Sequence, residues 1–128
     1  MRDFLLVGVG GFAGSVSRYY LGGLVLHLTA ASRLPWATFV VNALGCLVIG
    51  ALAGGAELRH VLSPNARLFL FTGFLGGFTT FSAFGYETYF LGRSHAPFQA
   101  ALNIVLHLVL ALPAVWLGHW LTATWLSR

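Results

Sequence analysis

The strongest constraint on the fold is a series of four long apolar segments separated by short polar connections. They cover about residues 4–28, 37–54, 68–91 and 98–121 of a 128-residue chain that is 58% hydrophobic and 8% charged. A transmembrane helix needs about 20 mainly apolar residues, so these segments fill the chain and leave no room for a separate soluble domain. We therefore expect one all-α membrane domain, residues 1–128, with four transmembrane helices.

The third segment has an unusual composition for a membrane helix. Residues 72–87 read Thr-Gly-Phe-Leu-Gly-Gly-Phe-Thr-Thr-Phe-Ser-Ala-Phe-Gly-Tyr-Glu. Glycine loses much backbone entropy in a helix and threonine crowds the preceding turn, so Gly76, Gly77, Thr79 and Thr80 predict a break. A break at membrane depth is tolerated only where it is buried in protein or lines a polar cavity. The segment therefore predicts an ion site or pathway, and a glycine-rich packing seam with ordinary core phenylalanines is the alternative.

Two phenylalanines after the predicted break favour an anion as the ion. Phe81 and Phe84 are three residues apart and so share one face if the helix resumes there. An aromatic ring has a positive edge, so rings turned edge-on attract an anion without carrying a charge.

Two pairs of glycines predict close contacts between helices. Gly10 and Gly14 in the first segment, and Gly50 and Gly54 in the second, have the GxxxG spacing. Small residues at this spacing let two helix backbones approach each other.

Polar side chains recur every fourth residue in the second and fourth segments. The two stripes are Thr38, Asn42 and Cys46, and Gln99, Asn103 and His107. Burying an amide or hydroxyl without a partner costs about 2 to 7 kcal/mol, so these groups and those of Thr79, Thr80 and Ser82 need partners. They either face a file of ions or form interhelical hydrogen bonds, which are worth about 0.6 kcal/mol on average.

The charged residues are few and indicate no soluble function. All seven basic residues are arginines, scattered without a basic patch, so we expect no nucleic-acid partner. Arg18 lies inside the first segment, where it could snorkel outward, pair with Glu87, or draw anions into a vestibule. Histidines and carboxylates do not cluster at ligand spacing, so we expect no transition-metal site.

The arginines also bear on topology. With an even number of crossings, both termini lie on one side, together with Arg2, Arg59, Arg67 and Arg128, while the other side has Arg33, Arg93 and, near it, Arg18. This difference in the number of arginines between the two sides is too small to fix one orientation of the protein in the membrane. Insertion in both orientations would allow two copies to pack as an antiparallel dimer.

Three motifs resemble the Fluc (CrcB-type) fluoride channels. They are residues 73–84, Gly-Phe-Leu-Gly-Gly-Phe-Thr-Thr-Phe-Ser-Ala-Phe; the pattern Gly10-Gly11-x-x-Gly14-x-x-x-Arg18-Tyr19; and Asn42 followed by Gly45. The resemblance covers nearly the whole chain. It implies a dual-topology antiparallel homodimer in the cell (inner) membrane, surrounded by lipid, that exports fluoride passively through two pores and has no enzymatic activity.

The resemblance also implies roles for individual residues. A structural sodium ion (Na+) would be bound by the backbone carbonyls of Gly76 and Thr79 from each subunit. The ion pathway would include Asn42, Phe81, Phe84, Thr80, Ser82, Asn103 and Thr38, with Arg18 in a vestibule. The family commonly has a serine or threonine where this chain has His107; if His107 lines the pore, conduction could become sensitive to pH.

Two rival interpretations remain at this point. A small multidrug transporter has a similar length and dual topology, but it relies on a membrane-embedded glutamate in its first helix, and this chain has no acidic residue between Asp3 and Glu57. A non-transporting membrane scaffold would use the glycine seams only for assembly. Fluoride efflux distinguishes the three.

Overall fold

The computed structural model of the chain describes residues 1–59 and 62–127, apart from the side chains of residues 58 and 59. Within these ranges the chain is helical, with short turns and no strand. The α-helices are α1 (Arg2–Leu28), α2 (Trp36–Arg59), α3 (Pro64–Arg67), α4 (Gly76–Phe78), α5 (Phe81–Arg93), α6 (Pro97–Leu106) and α7 (Ala114–Leu126). Two π-helical segments, Leu68–Leu75 and His107–Ala111, follow α3 and α6.

Three stretches of the described chain are long and apolar enough to cross a membrane. They are Trp36–Glu57, Pro64–Arg93 and Pro97–Leu126, which contain the predicted second, third and fourth segments. The first segment forms α1, a helix of 27 residues that does not reach the same level of hydropathy. The chain is therefore a multi-pass membrane protein.

Proline and hydroxyl residues set where several helices begin. Pro64 and Pro97 occupy first-turn positions, where the missing N–H costs nothing. The side chain of Ser63 accepts a hydrogen bond from the backbone N–H of Ala66, and Thr80 caps α5 in the same way through Ala83. A hydroxyl at this position satisfies a backbone donor that has no partner inside the helix.

Glycines bring the helices together in two pairs, as the GxxxG spacing predicted. A Cβ atom at Gly14 would collide with the backbone carbonyl of Phe74, so α1 packs directly on the backbone of the third segment. Gly50 is equally close to the carbonyl of Val115, which joins α2 to α7. The prediction of close helix contacts is confirmed, and the first pair fixes the position of the third segment.

Few side chains are buried within the single chain. Val41, Leu75 and Phe78 belong to a small apolar core, while many large apolar side chains on the outer faces are exposed. Exposed apolar surface of this extent indicates contact with lipid or with another protein surface.

Candidate functional site

The third segment changes backbone conformation at two residues. Gly76, Gly77 and Phe78 are helical, whereas Thr79 has φ −85° and ψ 159° and Thr80 has φ −151° and ψ 113°. Both threonines are therefore in the extended region, and α5 begins immediately after them. Threonine is β-branched and fits an extended backbone well.

The amide of Asn42 on α2 replaces the helical partners of Thr80. Its Oδ1 accepts a hydrogen bond from the backbone N–H of Thr80 at 2.9 Å, and its Nδ2 donates to the carbonyl of Thr80 at 3.1 Å. One side chain thus satisfies both backbone polar groups of an extended residue. Unsatisfied backbone groups are costly at membrane depth, so Asn42 stabilises this conformation.

Two backbone carbonyls lose their usual helical donors at the same place. In a continuous helix the N–H of Thr80 would bond to the carbonyl of Gly76, and that of Ala83 to the carbonyl of Thr79. The N–H of Thr80 instead binds Asn42, and that of Ala83 binds the hydroxyl of Thr80 at 3.2 Å. These carbonyl oxygens are hard ligands of the kind that alkali and alkaline-earth cations use.

The predicted pore phenylalanines flank a cavity beside the extended residues. The cavity has a volume of about 390 Å³, and its lining includes Asn42, Thr80, Phe81, Phe84 and His107. The ring centroids of Phe81 and Phe84 are 5.5 Å apart, and Phe81 is 82% exposed in the single chain. The cavity lining also includes Gly76 and Thr79, so the proposed cation ligands and the pore candidates lie around one space.

A second, more polar cavity is also lined by Thr80. It has a volume of about 340 Å³ and is lined by Arg18, Thr38, Thr80 and Ser82, among others. The hydroxyls of Thr80 and Ser82 are 3.2 Å apart. Thr80 lines both cavities, so this residue lies between them.

Arg18 contacts the extended backbone instead of Glu87. Its Nη1 donates to the carbonyl of Thr79 at 3.4 Å, and within the described residues it forms no ion pair. The nearby hydroxyl of Ser15 donates to the carbonyl of Gly77, also at 3.4 Å. Helix α1 therefore supplies donors to backbone carbonyls at and beside the extended residues, which the sequence did not predict.

Glu87 is the main residue of the site whose contact the sequence analysis missed. The hydroxyl of Thr38 donates to its Oε1 at 2.5 Å, and its Oε2 is buried without a hydrogen-bond partner among the described residues. Thr38, Asn42 and Cys46 lie one turn apart, and the first two reach the third segment. That stripe was the signal that could have predicted Thr38 as the partner of Glu87.

Asn103 and His107 lie one turn apart but contact different neighbours. Asn103 is 1% exposed, and its Nδ2 donates to the hydroxyl of Thr88 at 2.8 Å. The Nε2 of His107 lies 3.3 Å from Nδ2 of Asn42, and its ring centroid is 4.3 Å from that of Phe84. The structure thus places His107 at the first cavity and Asn103 in the contact between α5 and α6.

The described residues contain no group of three or more histidine, cysteine, aspartate or glutamate side chains that could bind a metal ion. Carbonyl oxygens suit hard cations, whereas transition metals prefer imidazole and thiolate ligands.

Comparison with known proteins gives consistent matches over almost the entire chain. Residues 5–119 match the family described as "CrcB-like protein, Camphor Resistance (CrcB)". A protein of Methylobacillus flagellatus named "Fluoride-specific ion channel FluC" is 50% identical over 118 residues, which cover 92% of each chain. A protein of the same name from Nitratidesulfovibrio vulgaris is 46% identical, over 92% of this chain and 94% of its own length. Another, from Chlorobaculum tepidum, is 44% identical over 98% of each chain.

Proposed function

Because the chain belongs to the CrcB-like family, we propose that it is a fluoride channel that exports fluoride passively across the cell membrane and protects against fluoride toxicity. It is a channel and not an enzyme. The observation that carries the proposal is the extended backbone at Thr79 and Thr80, stabilised by Asn42 beside a cavity that Phe81 and Phe84 line. The names of the relatives identify fluoride as the ion.

The chemistry of these residues suits a small, strongly hydrated anion. Such an ion loses water on entering a narrow pathway, and a channel must replace the lost hydrogen bonds without binding the ion too tightly. Asn42 offers amide N–H groups, Thr80 and Ser82 offer hydroxyls, and the phenylalanines offer positive ring edges. Fluoride would pass from the Arg18 vestibule along Thr38, Thr80 and Ser82 to the cavity of Phe81, Phe84 and Asn42, with Asn103 close to the route.

All four predicted segments cross the membrane in this proposal. Helix α1 has 27 residues, a length of about 40 Å at 1.5 Å per residue, which exceeds the roughly 30 Å of the hydrocarbon core. It packs through Gly10 and Gly14 on the third segment. If α1 did not cross the membrane, the backbone of the third segment that Gly10 and Gly14 cover would lack this packing partner. The break at Thr79 and Thr80 then lies within the third of four transmembrane helices.

The functional unit is an antiparallel homodimer in this proposal. The cavity beside Asn42 is open in the single chain, and the side chain of Phe81 at its edge is 82% exposed. A second copy would cover this face and complete the pathway. The weak arginine bias of the loops permits insertion in both orientations, and each dimer would contain two pores surrounded by membrane lipid.

A structural sodium ion fits the same arrangement. The carbonyls of Gly76 and Thr79 have lost their helical N–H donors, and both residues line one cavity, so these oxygens suit a hard monovalent cation. The contact of Arg18 with the carbonyl of Thr79, at 3.4 Å, is long for a hydrogen bond and leaves that oxygen with acceptor capacity. Two copies would contribute four carbonyls, and the sodium ion would compensate the partial negative charges that these oxygens leave in the protein interior.

Fluoride efflux from liposomes tests the proposal. The purified protein is reconstituted into vesicles loaded with potassium fluoride, valinomycin is added to dissipate the membrane potential, and external fluoride is followed with an electrode. We expect rapid release that protein-free vesicles lack. A small multidrug transporter would instead couple protons to a cationic drug, and a scaffold would release nothing; either result would overturn the proposal.

A further inference from the structure

The hydrogen bonds around His107 determine which of its nitrogens carries the proton. Its Nδ1 lies 2.9 Å from the backbone carbonyl of Asn103. A carbonyl oxygen only accepts hydrogen bonds, so Nδ1 must be the donor. In the neutral ring Nε2 is then an acceptor, and it receives the second N–H of Asn42 across 3.3 Å. Every polar atom in this chain of contacts has a complementary partner when His107 is neutral.

Asn42 cannot rotate to follow a change at His107. Its Oδ1 and Nδ2 bind the N–H and the carbonyl of Thr80. Rotating the amide by 180° would place N–H against N–H and oxygen against oxygen, and both bonds would be lost. Protonation of His107 therefore puts two donors, Nε2–H and Nδ2–H, opposite each other, and their hydrogen bond must break.

We propose that protonation of His107 converts this contact into an anion-binding site for fluoride in the first cavity. This inference rests on the proposed channel function. The two nitrogens are 3.3 Å apart, so one anion can lie within hydrogen-bonding distance of both. Hydrogen bonds from a charged donor are roughly twice as strong as neutral ones. The protonated channel binds fluoride more tightly and releases it more slowly.

The surroundings of the ring accommodate the charged form. The centroid of Phe84 is 4.3 Å away, with the two rings tilted by 41°, and that of Phe39 is 5.5 Å away with an edge-on geometry. Aromatic faces within about 6 Å attract a cation. The ring of Phe84 is therefore placed to stabilise an imidazolium, and His107 lines an open cavity from which a proton can enter.

Other titratable or charged groups lie on the helices packed around His107. Cys46 on α2 lines the same cavity, Glu87 on α5 accepts from Thr38, and Arg18 on α1 donates to Thr79. On α7, beyond the π-helical segment that His107 opens, His119 pairs with Glu57 of α2 at 3.1 Å. Within the part of the chain that the structure describes, none of these side chains forms a hydrogen bond or ion pair with His107.

The experiment compares fluoride efflux from reconstituted vesicles between about pH 8 and about pH 5, the range in which histidine changes charge. Protein-free vesicles at each pH correct for leakage of undissociated hydrogen fluoride. Because a charged donor strengthens the hydrogen bond to the anion, we expect the wild-type maximal rate to fall about tenfold in acid, together with the fluoride concentration that gives half of that rate. His107→Gln retains an oxygen acceptor for Asn42 but cannot titrate, so its profile should be flat.

His119→Gln is the matched control, because it removes another histidine from the fourth segment, one that does not line the cavity. It should retain the wild-type pH profile. Parallel profiles for wild type and His107→Gln overturn the inference. If His107→Gln does not fold, an unchanged half-saturating fluoride concentration in wild type overturns it equally. Efflux at neutral pH tests the channel function itself. A protein that conducts at neutral pH but shows no acid effect refutes only the role of His107, whereas absence of efflux at neutral pH refutes the channel function.

Discussion

Replacing Asn42 by alanine tests the hydrogen bonds that hold the extended backbone. The change removes both partners of Thr80, whose N–H and carbonyl are bound at 2.9 and 3.1 Å. An unsatisfied buried polar group costs about 1 to 3 kcal/mol, so the loss is about 2 to 6 kcal/mol in total. Even the lower value, about 2 kcal/mol, shifts the equilibrium constant between the extended and alternative conformations of Thr80 about thirtyfold against the extended one.

Fluoride efflux from reconstituted vesicles measures this loss. Asn42→Asp complements the alanine variant: it retains an acceptor for the N–H of Thr80 but loses both amide donors and adds a negative charge. It should therefore also conduct poorly. Leu44→Ala is a control on the same helix, because Leu44 is 40% exposed and contributes no polar group. Efflux within about twofold of wild type for both Asn42 variants, with an intact size-exclusion profile, would refute the role of the amide; twofold is under about 0.5 kcal/mol.

The remaining predictions concern the rings, the cation and the helix contact. Phe81→Ile keeps apolar volume but removes the ring edge, so it should abolish fluoride flux while the protein still elutes as wild type does; unchanged flux would exclude a phenyl role. Dialysis of the protein against sodium-free buffer should lower efflux and thermal stability, and sodium, but not a bulky organic cation, should restore both. Gly14→Ala should cost about 1 to 3 kcal/mol through overpacking against Phe74, measured by thermal unfolding in detergent. Gly8→Ala, which has open space around its Cβ position, should leave the melting temperature unchanged, and equal melting temperatures for both variants would contradict the close packing.

Four residues of the third segment, Gly76, Gly77, Thr79 and Thr80, predicted a break through their poor helix propensity. The two glycines are helical, whereas the two threonines are extended. Gly77 instead packs closely on the backbone of Gly11 in α1. The extended conformation is confined to the threonines, where Asn42 supplies the missing hydrogen bonds from 38 residues away. Local propensity contains no information about such a partner.

The helical periodicity was more informative for α2 than for the fourth segment. A spacing of four placed Thr38 and Asn42 on one face, and both reach the third segment. The same spacing placed Asn103 and His107 together, but the structure gives them different partners, Thr88 and Asn42. The backbone N–H of His107 still bonds to the carbonyl of Asn103, so the two residues keep their α-helical spacing. Their different partners come from the neighbouring helices, which the spacing does not reveal.

The pairing of Asn42 with Thr80 makes the shape of one membrane helix depend on another. A peptide covering Pro64–Arg93 alone would lack the amide that replaces the missing backbone partners, and in a bilayer it would lower its free energy by forming a continuous helix. Transplanting this segment into an unrelated bundle would fail for the same reason, unless a carboxamide faced the same threonine. The third segment therefore has to be kept together with α2 for Thr79 and Thr80 to stay extended.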